Sequence, residues 1–189
     1  MKRGETWYFD KPGPENTQAC LDLVEKALGQ GYRHVVVAST TGDSGAQAAR
    51  RLAGKKANLV VVGHCVCFKG PNIDEFLEEH YQEITNKGAK VLKATILTHS
   101  LETAIADQFK GSAPTLLIAN TLRRLGQGLK VCCEIVMEAV DAGLIPESEE
   151  VVAAAGTARG WDTVTIIRTA ASKRFLNLTV LEIWAKPRG

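Results

Sequence analysis

Residues 35–52, VVVASTTGDSGAQAARRL, decide how this chain is to be read. Val35, Val36, Val37 and Ala38 form a β-branched apolar run, which breaks into a loop of small and hydroxylated residues and then into an Ala/Arg/Leu segment of helical composition. A strand, a short flexible loop and a helix in succession aim backbone N–H groups and the positive end of a helix at one point, an arrangement suited to an anion. Thr40, Thr41 and Ser44 add hydroxyl donors, and Gly42 and Gly45 let the main chain come close to an oxyanion. Two readings stay open at this stretch. One is a phosphate cradle at the carboxyl edge of a parallel sheet; the other is a helix capped by Asp43 or Ser44, with turn glycines and no ligand. Neither GxxxxGK[ST] nor GxGxxG occurs in it.

Working outward, Thr17 to Leu28 repeats apolar residues at helical spacing ahead of Gly29 and Gly31, and Trp7–Phe9 is a short strand or an arm. Leu59–Gly63 is apolar throughout, as expected of a strand covered on both faces. The loop HCVCFKGPN follows it, then an acidic amphipathic helix over 73–86, a strand over 90–94, a loop over 95–100 and helices over 101–110 and 115–125. A helix over 130–142 ends at Gly143 and Pro146, and three strands close the chain at 151–155, 163–168 and 179–185. Strand–helix alternation with right-handed crossovers predicts a doubly wound, mostly parallel α/β sheet. The last two strands are joined by TAASKRFLNL, which has no helical pattern, so at least one late strand runs antiparallel. Ligands in such sheets bind beyond the carboxyl ends of strands. That selects the loops at 40–45, 64–72, 95–100 and 156–162.

A length of 189 residues suits one domain spanning 1–189. A formal charge of +2, with no basic run, argues against nucleic acid or a membrane surface as partner. No apolar stretch reaches the roughly 20 residues of a membrane span, and the first residues lack a signal-peptide core, so a cytoplasmic location is expected. Five cysteines, two of them adjacent, fit reduced thiols rather than a disulfide framework. A homo-oligomer is compatible with this composition.

The loop Gly156-Thr157-Ala158-Arg159-Gly160-Trp161-Asp162 repeats the logic of the first, with Arg159 as a permanent bidentate anion partner and Asp162 as an acceptor for a ligand N–H. It also reads as a plain hairpin connection with Trp161 covering a sheet edge. His64-Cys65-Val66-Cys67 lacks CxxC spacing and a second Cys/His pair, which favours a ligand-contacting loop over zinc and leaves no metal site predicted. Thr98 and His99 stand at the equivalent place after the third strand, with His99 as candidate catalytic acid or base. Gly126-Gln127-Gly128 with Lys130 either presents N–H groups and a counter-charge or is a kink between packed helices. The residues alone name no reaction.

With those residues in view, the chain resembles the stand-alone archaeal and bacterial proteins related to the C-terminal domain of pyruvate kinase. The resemblance runs through GPENT (13–17), VVASTTGDSG (36–45), THS (98–100), GQGLKVCCEI (126–135), DAGLIP (141–146), GTARGWDT (156–163) and the closing EIWAKPR. It implies a three-layer α/β/α domain. In pyruvate kinase the corresponding loop holds a sugar phosphate, and the stand-alone relatives are similar to binders of flavin mononucleotide (FMN). The resemblance therefore implies FMN as cofactor, with phosphate on Thr40, Thr41, Gly42, Asp43, Ser44 and Gly45. The rest of the ligand falls to Gly156, Thr157, Arg159 and Asp162, and the isoalloxazine lies near His64 and His99. Asp43 puts a negative charge where the anion would sit, so its side chain has to turn away. The catalytic barrel of pyruvate kinase has no counterpart, so kinase activity is not implied. The alternative is a non-catalytic sensing or allosteric module for a phosphorylated metabolite. The likeness of TTGDSGAQAA to the phosphate loop of threonine synthase-like pyridoxal-phosphate enzymes is set aside, because no upstream Schiff-base lysine accompanies it.

Overall fold

Alternating side chains on buried strands explain the layering of this molecule, a computed structural model that describes residues 4–189. The strands are β1 (Trp7–Phe9), β2 (His34–Ala38), β3 (Asn58–His64), β4 (Lys90–Ala94), β5 (Glu150–Ala155), β6 (Thr163–Arg168) and β7 (Thr179–Pro187). They form one seven-stranded sheet in the order β1-β7-β6-β5-β2-β3-β4. Val35 and Val37 of β2, with Leu59 and Val61 of β3, point to one face. Val36, Val60 and Val62 point to the other. The first face is covered by α1 (Thr17–Gly29), α2 (Asp43–Leu52) and α3 (Glu78–Asn86). The second is covered by α6 (Gln127–Asp141), with α5 (Pro114–Arg123) packed on α6. The short α4 (Leu101–Phe109) buries none of its residues.

Every neighbouring pair is parallel except those made by β6, which runs antiparallel to both β5 and β7. The late reversed strand follows from the connections. GTARGWD joins β5 to β6 as a hairpin, and only a 3-10 segment, Ser172–Asn177, joins β6 to β7. The crossover helices, by contrast, return the chain to the same edge, so the loops after β2, β3 and β4 share the carboxyl rim with the β5–β6 hairpin.

Two expectations need correction. Residues 73–77 are not helical. The Phe76 N–H donates to Asp74 Oδ1 and the Leu77 N–H to Thr41 O, and these side-chain and loop partners outcompete the helical ones until Glu78. The start of α2 is capped by Gly42 rather than by Asp43 or Ser44. Gly42 has φ 93°, and a Cβ there would meet His80 and Phe76, so glycine answers both a left-handed backbone and a close approach.

The five cysteines are unpaired. Among the described residues no helix is long and apolar enough to cross a membrane. Among them too, no three His, Cys, Asp or Glu side chains converge as a metal cluster.

Candidate functional site

The loop after β2 is built from within. Ser44 Oγ donates to Ser39 Oγ (3.1 Å) and lies 3.3 Å from Ala38 O, while Ser39 Oγ accepts the Gly45 N–H at 3.1 Å. Ser44 thus spends its hydroxyl on holding the turn. Asp43 Oδ2 accepts from Gln47 Nε2 at 3.0 Å, one helical turn along. The N–H groups of Asp43 and Ser44, first in α2, meet no acceptor among the described residues. Thr40, Thr41, Asp43 and Ser44 line a cavity of about 460 Å³.

The β5–β6 loop reaches the same cavity with Gly156, Arg159 and Gly160. Trp161 brings it there. Its indole N–H donates to Ala38 O at 2.7 Å, its main-chain N–H donates to Thr17 Oγ1 at 3.0 Å, and the ring is fully buried. The sequence-level hairpin reading of GTARGWD is right about its geometry, and the same hairpin faces the cavity. The Arg159 guanidinium has no hydrogen-bond or ion-pair partner among the described residues.

Asp162 is fully buried and does not reach the cavity. Its oxygens accept from Gly13 N–H (3.3 Å), Thr157 N–H (3.0 Å) and Thr163 Oγ1 (2.8 Å), so it fixes the hairpin and is no ligand acceptor. Thr157, Gly42 and Gly45 also stand behind the lining rather than in it.

The floor comes from one row of α6: Gln127, Lys130, Glu134 and Glu138. Lys130 lines the cavity but is 3% exposed and ion-paired to Glu134, so of the two readings open at 126–130 the free counter-charge does not hold. Glu134 Oε1 also accepts from Thr98 Oγ1 (2.6 Å) and the Thr98 N–H (3.0 Å), which places Thr98 behind the wall as a support. Since the Thr98 hydroxyl donates to this carboxylate, it accepts from His99 Nδ1–H at 2.8 Å. That leaves His99 Nε2 as an acceptor, 3.4 Å from Arg123 Nη2. Burial, then the cations Lys130 and Arg123, hold the His99 pKa below its ordinary value against the opposing pull of Glu134. The neutral imidazole is the favoured form, and its Nε2 lone pair faces the Arg123 guanidinium at the cavity wall. Arg123 is oriented by Gln127 Oε1 (2.7 Å) and Asn120 Oδ1 (2.8 Å).

The third side is apolar. His64 lies against Phe68 with ring centroids 4.5 Å apart, its Nδ1 3.1 Å from Glu75 Oε2, and Val62, Ala94 and Ile96 continue the wall.

Arg123, Glu134, Glu138 and Phe68 escaped the sequence reading, which took the helix around 130–142 as core. The spacing Lys130, Glu134, Glu138 was the available signal: three charges at successive i+4 positions on a helix whose other residues are mostly apolar.

Glu138 is 7% exposed, and burial with the nearby Glu134 raises its pKa to about 8 from 4.5. Raising the folded-state value stabilises the protein fully only below 4.5, and that contribution is lost as pH rises through about 8. Glu138→Gln is therefore expected to gain stability relative to wild type progressively between those limits and to level off above them. Urea denaturation below, between and above them checks this; a constant difference would show the carboxyl ionised throughout.

Fold and cavity together define a class: an α/β/α domain with a cleft at the carboxyl ends of its parallel strands, flanked by a helix N-terminus and a reversed hairpin. No family model matches the chain. Its fold is distantly similar to a pyruvate kinase from Cryptosporidium parvum, at 13% identity and a TM-score of 0.42. The match covers 82% of this chain, which spans 23% of that enzyme's length.

Proposed function

We infer that this protein binds a small phosphate monoester with a flat heterocyclic body, and that FMN is such a ligand. The observation that carries the reading is the opening on one cavity of two groups without partners among the described residues: the first N–H groups of α2 and the guanidinium of Arg159. Both favour an anion, one as a helix end and one as a bidentate donor. The volume falls within the roughly 300–1,000 Å³ usual for ligand sites, and His64 with Phe68 offers a ring face for a planar body. Thr40 and Thr41 supply hydroxyls at the phosphate end, and His99 is the candidate acid or base beside the ring.

FMN and riboflavin differ by the phosphate alone, so titrating both tests the assignment. Arg159→Gln is expected to weaken FMN binding by about 1.5–3 kcal/mol, the range of a hydrogen bond to a charged group, and to leave riboflavin unchanged. Equal losses for both would move the phosphate elsewhere. If neither flavin binds while sugar phosphates raise the melting temperature, the protein is instead a sensing module for phosphorylated metabolites.

A further inference from the structure

The cavity continues along α6 past the paired Lys130 and Glu134 to Glu138, which is buried, lines the cavity and takes part in no ion pair among the described residues. Of the backbone groups, only that of Leu97 favours its ionised form among the described residues. An ionised carboxylate has about four acceptor positions, so one N–H leaves most of that capacity turned to the cavity. Among the described residues the only cation acting on it is Lys130, already bound to Glu134, whereas Glu134 and Asp141 add like charge. A buried carboxyl so placed either keeps a proton or meets a donor.

We propose that Glu138 receives the nitrogen-bearing end of the ligand, so that the cavity takes phosphate esters whose far end presents an ammonium or N–H group. The proposal rests on the phosphate reading above for the opposite end. An anionic group beside Glu138 would face two acids, and an apolar one would leave its oxygens without donors. Anchoring Leu97 alone needs only a neutral acceptor, which glutamine supplies. The imide N–H of an isoalloxazine is a donor of this kind.

Isothermal titration of ω-aminoalkyl phosphates against ω-hydroxyalkyl phosphates of matched chain length separates the two ends. At pH 7 the amino form is expected to bind at least about tenfold more tightly, the effect of one charge-assisted hydrogen bond. Binding should release close to one proton, read from the dependence of the heat on buffer ionisation enthalpy. In Glu138→Gln the preference of the amino over the hydroxyl form disappears. Equal affinities in the wild type, or a preference that survives in the variant, overturn the proposal. If neither series binds, the phosphate reading falls and takes this one with it; if both bind without preference, only this one falls. Should the variant fail to fold, heats independent of buffer in the unaltered protein overturn it equally.

Discussion

Glu134→Ala is expected to destabilise the protein by about 3–5 kcal/mol, the range for leaving one member of a buried ion pair without its partner. Lys130 would be left at 3% exposure without its ion-pair partner. Thr98 would at the same time lose the acceptor of its N–H and its hydroxyl. For a chain of this size about 2–4 °C is lost per kcal/mol, so the melting temperature falls by roughly 6–20 °C. The double variant Lys130→Met/Glu134→Leu removes both charges and restores apolar volume, so it should recover much of that loss. Chemical denaturation of single and double variants gives the comparison. A single variant within about 1 kcal/mol of wild type would mean that water reaches the pair as it does at a surface.

Trp161→Ala is the second large effect. Emptying a fully buried tryptophan site costs about 3–5 kcal/mol. Trp161→Phe separates packing from hydrogen bonding: most apolar contact is kept, but the Ala38 carbonyl loses the indole donor and keeps only the longer Ser44 hydroxyl contact among its side-chain donors, for about 1–3 kcal/mol. Trp161 does not line the cavity, yet it ties the hairpin to the end of β2. Ligand affinity should therefore fall in both variants at temperatures where they remain folded, read by titration beside the denaturation curves. Unchanged affinity in a folded Trp161→Ala protein would show that the hairpin holds its place without the indole.

Period-two and period-3.6 patterning made most of the elements legible. The apolar runs at 35–38 and 59–63 announced themselves because a strand covered on both faces has no polar side to show. The segment 73–77 misled because its apolar and acidic residues have helical spacing while its hydrogen bonds go to Asp74 and to Thr41, a partner more than thirty positions away. At the site, the loops were legible through glycine and hydroxyl residues, whose backbone freedom is written locally. The inward charges of α6 were harder to place: their i+4 spacing marks one row of the helix, but charged rows ordinarily face solvent and only the fold shows this one lying over a void. Asp162 erred in the opposite direction: a polar residue in a glycine loop looks like a ligand contact, and only the donors from Gly13, Thr157 and Thr163 reveal that it is already occupied.

Strand β1 carries a consequence for the order of folding. It joins the sheet only through β7, in the register Trp7 with Ala185, and Thr6 Oγ1 donates to the Ile183 carbonyl across a separation of 177 positions. Closing so long a loop loses chain entropy that three residues of pairing, two of them exposed, recover poorly. This strand is accordingly expected to join the sheet last and to fray first, with its amides exchanging ahead of those in the rest of the sheet.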